Sequence, residues 1–180
     1  MATDINMLLA AIVVSAIALM DDLRSRRIPN GLTFSAATFG LVYHSITGGS
    51  TMLSQSAGGM IFGLALFMIP YFMGGMGAGD AKLIGALGAM LGPRAIANIS
   101  LLTALVGGIY AFGIIFLRRN SKNAVAEGIT SLWMLAATKN LSAVSMPCKR
   151  GMPRLYYAVA IAAGTVLYTV LVLTGCEMIL

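Results

Sequence analysis

The sequence predicts an all-α, polytopic membrane protein of about six helices, and three observations carry that prediction. Hydrophobic residues fill 58% of the 180 positions and charged residues only 10%, against about 25% charged in an ordinary soluble domain. Mean hydropathy is +0.88. Apolar runs follow one another along the chain with short polar breaks between them. A helix needs about 20 apolar residues to cross ~30 Å of hydrocarbon, so a chain this long holds about six crossings and no separate soluble module. Residues 1–180 are therefore expected to form one membrane domain.

The first apolar run, about 5–20, stops at the charge cluster Asp21-Asp22-Leu23-Arg24-Ser25-Arg26-Arg27. Pro29 disfavours a helical Ile28, so 21–30 is expected to be a loop. No Lys or Arg precedes the run, so it is expected to stay in the mature protein rather than serve as a cleaved signal. The second span, about 31–47, ends in Gly48-Gly49-Ser50, and the third, about 56–72, contains Pro70 near its end. A fourth segment, about 81–91, closes at Gly92-Pro93-Arg94. At 1.5 Å per residue it is too short to cross alone. Either the preceding glycines share the crossing, or this helix is sunk below one surface. A fifth span covers about 95–117 and a sixth about 155–175. Between them 129–137, with Trp133, reads equally as an interfacial helix or as a loop.

Charge placement gives a topology. With the N-terminus outside, 21–30, 73–82 and 118–154 fall on one side and hold eleven of the twelve Lys and Arg residues, all but Arg94. The positive-inside rule makes that side cytoplasmic. The net charge of +6 is thereby read as membrane topology, with lipid and not nucleic acid as the surrounding partner. Cys148 and Cys176 fall on opposite faces and are not expected to pair, and with no Cys-x-x-Cys and a single histidine no metal site is expected. His44, near the outer end of the second span, is read as structural.

Chemistry concentrates where the third span ends. Gly74, Gly75, Gly77 and Gly79 fall within six positions, too many for an ordinary helix, since each costs about 1 kcal/mol against Ala. They lead into Asp80, and a carboxylate at such a break marks a functional site. Glycines without side chains also let another backbone approach it. The topology brings Asp21, Asp22 and Asp80 to one face of the membrane. Two carboxylates within a few ångströms cannot both ionise cheaply, so they share a proton and do acid and base work without a metal. Plainer roles stay open: Asp21 and Asp22 as interfacial charges beside Arg24 or Arg26, and Asp80 as the N-cap of the next helix. A transporter using Asp80 as an ion site, or a scaffold subunit of a secretion machine that needs neither carboxylate, also fits this pattern.

Gly77-Ala78-Gly79-Asp80-Ala81-Lys82-Leu83 resembles the Gly-x-Gly-Asp-x-Lys-Leu signature of the type IV prepilin peptidases, aspartic proteases of bacterial inner membranes. Asp22, standing seven positions before Pro29 and followed by Pro29-Asn30-Gly31-Leu32, is similar to that family's first catalytic loop, and 152–164 is similar to its last span. The resemblance covers roughly 5–175. It implies catalytic roles for Asp22 and Asp80, with Asp21 as fallback, and loop-shaping or substrate-binding positions at Gly77, Gly79, Lys82, Pro29 and Asn30. It implies prepilin and pseudopilin substrates, cleaved after a short basic leader at the cytoplasmic face, and no cofactor. The larger bifunctional members also carry a Cys-x-x-Cys zinc motif and methylate the new amino terminus. Without that motif the chain resembles the short form associated with tight-adherence, or Flp-type, pili.

Overall fold

In a computed structural model, residues 4–72, 76–117 and 157–175 are described, and among them the regular structure is entirely helical. The helices are α1 (Ile5–Ser25), α2 (Asn30–Phe72), α3 (Ala78–Leu117) and α4 (Tyr157–Leu173). Three stretches, Ile5–Ser25, Asn30–Phe72 and Ala78–Tyr110, are long and apolar enough to cross a membrane, and Tyr157–Leu173 is a shorter apolar helix. Gly74 and Gly75, Cys148, Cys176 and the whole basic segment 118–154, with its stretch 129–137, lie outside the described residues.

α2 and α3 are each broken once. Gly49 has φ 60° and ψ −150°, and Gly92 has φ 83° and ψ 175°. Side chains with a Cβ avoid both conformations, and Gly92 is further pushed to an extended ψ by Pro93 behind it. Helical segments at 30–48, 50–72, 78–91 and 93–117 result, close to the breaks that Gly48-Gly49-Ser50 and Gly92-Pro93 predict.

The first boundary differs from the sequence expectation. α1 continues past Met20 to Ser25, so Asp21 and Asp22 are helical and the loop shrinks to Arg26–Pro29. Charge ends an apolar run, but it does not end a helix, and the first true breaker after Met20 is Pro29. The helix stops at Arg26, in the left-handed region at φ 54° and ψ 31°, with its N–H still donating to Asp22 O at 2.8 Å.

The segment 78–91 is the centre of the molecule. Leu83, Ile84 and Leu87 have no exposed surface and Met90 almost none, which is the state expected of a helix apolar all round. At ~1.5 Å per residue it is about 21 Å long, and it is enclosed by its neighbours. The fit against 50–72 is backbone to backbone. A Cβ on Gly88 would strike the carbonyl of Gly59, one on Gly59 would strike that of Gly88, and one on Gly63 would lie 2.9 Å from Ile84 O. Without a hydrophobic drive between helices in lipid, close approach of small residues holds such pairs together.

The break at Gly92-Pro93 strands two carbonyls inside this packing. In a continuous helix Ala89 O would accept from residue 93, but proline has no N–H. Ser56 Oγ donates to it instead at 2.6 Å. Met90 O, interrupted by the same break, lies 2.9 Å from His44 Nε2. His44 is only 2% exposed, and its role as a donor to a stranded carbonyl accords with the structural reading of this residue. In an apolar interior each orphaned carbonyl would cost several kcal/mol.

Gly88→Ala is expected to cost about 1–3 kcal/mol, because the Gly59 backbone cannot yield without separating the helices. Gly58→Ala, with nothing within 4 Å of the added Cβ, should be neutral or slightly stabilising. Thermal unfolding in detergent measures both, and equal behaviour of the two variants would contradict the close packing.

Candidate active site

The inner face of α1 determines which of its two aspartates reaches the bundle. Leu8, Ala11, Ser15 and Ala18 are buried at intervals of three and four residues, while Ile5, Leu9, Val13 and Ile17 are exposed on the other side. Ser15 Oγ lies 3.4 Å from Thr165 Oγ1 of α4 inside the bundle. Four residues beyond Ala18 the same face presents Asp22. Asp21 sits about 100° around the helix from it. Asp22 is partly buried, within electrostatic reach of Arg26 and, across the bundle, of Asp80.

Asp80 stands in the first turn of α3. The helix begins after Gly77, whose carbonyl accepts from Asp80 N at 3.2 Å and Ala81 N at 3.5 Å. Asp80 Oδ2 reaches back to accept from Gly77 N at 3.2 Å. Asp80 is therefore the third residue of the helix in a reciprocal capping arrangement rather than the N-cap itself, and that arrangement fixes the orientation of its carboxylate. The position also places a negative group at the positive end of a helix dipole.

Two contacts lock the turn after α1 to this helix start. Gly79 lies against Ile28: a Cβ on it would be 3.1 Å from Ile28 Cβ, and Ile28 is buried. Lys82 Nζ donates to Asn30 Oδ1 at 2.9 Å and lies 5.8 Å from the centre of the Phe34 ring, a cation–π distance. Pro29, exposed, begins the turn into α2. Thus Gly77 and Gly79, Lys82, Pro29 and Asn30 all belong to one docked pair of turns, and Asp22 and Asp80 flank it. Asp21 contributes its backbone carbonyl to Ser25 Oγ at 2.8 Å.

Sequence reasoning missed two neighbours. Ile28 was legible only as a hydrophobic step before Pro29, although the apposition of a glycine gives it a packing role. Tyr157, half-buried at the start of α4 and within electrostatic reach of Asp80, carried no signal. Among the described residues no group of three His, Cys, Asp or Glu side chains comes together. Two carboxylates alone, one held by a backbone N–H and both at the rim of an apolar bundle, suit proton exchange with a water between them.

The model of the type IV leader peptidase family matches residues 8–112, which include both turns and both aspartates. The prepilin leader peptidase/N-methyltransferase of Aeromonas salmonicida (strain A449) is 32% identical over 127 residues, covering 62% of this chain and 44% of the relative. The enzyme of the same name from Aeromonas hydrophila matches with the same identity and coverage. The chain thus spans less than half the length of these curated relatives. No solved structure matches it.

Asn30→Ala and Lys82→Met should each lower thermal stability in detergent by less than about 1 kcal/mol, and the double variant should lose less than the sum, because both remove the same bond. Strictly additive losses would mean that the two side chains do not interact.

Proposed function

The chain belongs to the type IV leader peptidase family, and from that premise we propose that it is a membrane aspartic endopeptidase that removes the leader peptide of type IV prepilins and pseudopilins. The observation that carries this reading is that Asp22, on the inward face of α1, lies within electrostatic reach of Asp80, beside the turns joined by Ile28 on Gly79 and Lys82 on Asn30. In this reading the chain crosses the bacterial inner membrane six times, using the helical segments on either side of Gly49 and Gly92 as separate spans. The docked turns face the cytoplasm together with most of the Lys and Arg residues. The substrates are those of the short, Flp-type members, and no cofactor takes part.

The chemistry is an addition of water across a peptide bond. Asp22 and Asp80 hold one proton between them, because a second negative charge so near the first is costly. The ionised carboxylate takes a proton from water as its oxygen attacks the scissile carbonyl carbon. The protonated carboxylic acid hydrogen-bonds to the carbonyl oxygen as charge develops there. A proton then passes to the leaving nitrogen as the C–N bond breaks, giving a free carboxylate on the leader and a free amine on the mature chain. The bond from Gly77 N–H orients Asp80 throughout, and the clasp between Lys82 and Asn30 holds the turn that follows Asp22 against it.

Asp22→Asn and Asp80→Asn should each lower prepilin cleavage in proteoliposomes by about 10²–10⁴-fold, the range of a general acid–base group, and the double variant should be little worse than either. Asp21→Asn should keep most activity. All three should accumulate in the membrane, since none disturbs a packed face. Cleavage that survives Asp80→Asn would remove the peptidase mechanism, and loss with Asp21→Asn but not Asp22→Asn would shift the pair by one residue.

A further inference from the structure

The two aspartates come from α1 and α3, and a third helix, α4, starts beside them. Its placement is fixed on two sides. Thr165 Oγ1 lies 3.4 Å from Ser15 Oγ of α1. Gly164 abuts α3, where an added Cβ would be 3.0 Å from Thr103 N and 3.2 Å from Ile99 O. A residue without a side chain lets the two backbones approach there, which sets the depth and rotation of α4 against 93–117. Tyr157 stands seven residues before Gly164, on the same face about two turns back.

Tyr157 is half-buried, packs on the apolar core and lines a cavity together with Met76. Met76 directly precedes Gly77, whose N–H donates to Asp80 Oδ2 at 3.2 Å, and Asp80 is within electrostatic reach of Tyr157. The other ionisable groups near this end are engaged elsewhere. Lys82 donates to Asn30 Oδ1 and lies over the Phe34 ring, and Arg26 stands beside Asp22. α2 carries no Asp, Glu, Lys or Arg, and its His44 is turned to Met90 O at the far end of 78–91. A phenol ionises near pH ~10, so at neutral pH it is a donor. In apolar surroundings such a donor pairs with a nearby carboxylate, at contact or through one water.

We propose that Tyr157 is a positioning residue of the peptidase: its hydroxyl donates to the Asp80 carboxylate, at contact or through one water, and holds that group toward Asp22. The inference rests on the peptidase reading and adds a third side chain to its site. Gly77 N–H orients Asp80 from its own helix, whereas Tyr157 orients it from a separate one. The acid–base pair therefore keeps its geometry only while α4 is docked on α1 and α3. A donor also favours the ionised form of the carboxylate it serves, and the pair needs one ionised member to take a proton from water.

Tyr157→Phe keeps the ring and its packing and removes only the donor. In proteoliposomes its kcat for prepilin should fall about 10- to 100-fold, the worth of one hydrogen bond to a charged group, with KM unchanged. The acidic limb of its pH–rate profile should move to higher pH. An unchanged kcat and pH profile overturns the proposal, and so does a loss confined to KM. Tyrosine fluorinated on the ring and placed at 157 keeps the shape but is a stronger acid, so activity should fall away at lower pH on the alkaline side, because a phenolate cannot donate. An unmoved alkaline limb overturns the proposal. Labelling of Asp80 by a carbodiimide, which takes the protonated carboxyl, reads the contact without substrate, and the midpoint of its pH dependence should rise in Tyr157→Phe. If it rises while the unsubstituted protein cleaves no prepilin, the peptidase reading fails and the contact stands. An unmoved midpoint overturns the contact itself.

Discussion

The segment 78–91 is a helix cut at both ends and enclosed in an apolar bundle, and the free energy of that situation is set by the polar groups the cuts expose. At its start Asp80 accepts from the N–H of Gly77. At its end Ser56 and His44 take the carbonyls of Ala89 and Met90, one of which Pro93 can never serve. A short helix is thus made stable inside an apolar bundle by side chains from the helices around it. The same arrangement fixes Asp80 in depth and direction, because it sits on the first turn of an element whose every other contact is packed.

The second aspartate arrives by a different route. α1 packs its small residues Ala11, Ser15 and Ala18 inward, and the 3.6-residue repeat carries that face on to Asp22. After the left-handed residue Arg26 the chain must turn back, and it is pinned by Ile28 on Gly79 and by Lys82 on Asn30. Gly79 tolerates nothing larger without displacing Ile28, so its lack of a side chain is what lets the two turns close. Bringing like charges together across this joint works against stability.

Much of this was legible in the sequence, for identifiable reasons. Composition settles the all-helical membrane class, and Gly48-Gly49 and Gly92-Pro93 mark the breaks because few other residue pairs can make them. The end of α1 was misplaced by five residues because hydropathy reports where lipid-like residues stop, not where backbone hydrogen bonds do. The resemblance favours Asp22 over Asp21 through its spacing to Pro29, and in the structure the inward stripe of small residues on α1 continues to Asp22. Asp80 is open to an N-cap reading in the sequence, but the cap is Gly77, three residues earlier, and Asp80 lies inside the first turn. The contact of Lys82 with Asn30 and the position of Tyr157 depend on how separate helices dock, and no local pattern encodes that.

The central claim is that Asp22, and not its neighbour, faces Asp80 across the docked turns. In a chain with Cys148 and Cys176 replaced, Asp22→Cys paired with Asp80→Cys should be joined rapidly by a short thiol-to-thiol cross-linker in native membranes. Asp21→Cys paired with Asp80→Cys should be joined far more slowly. Equal rates for the two pairs, or a faster reaction of the Asp21 pair, would contradict the account.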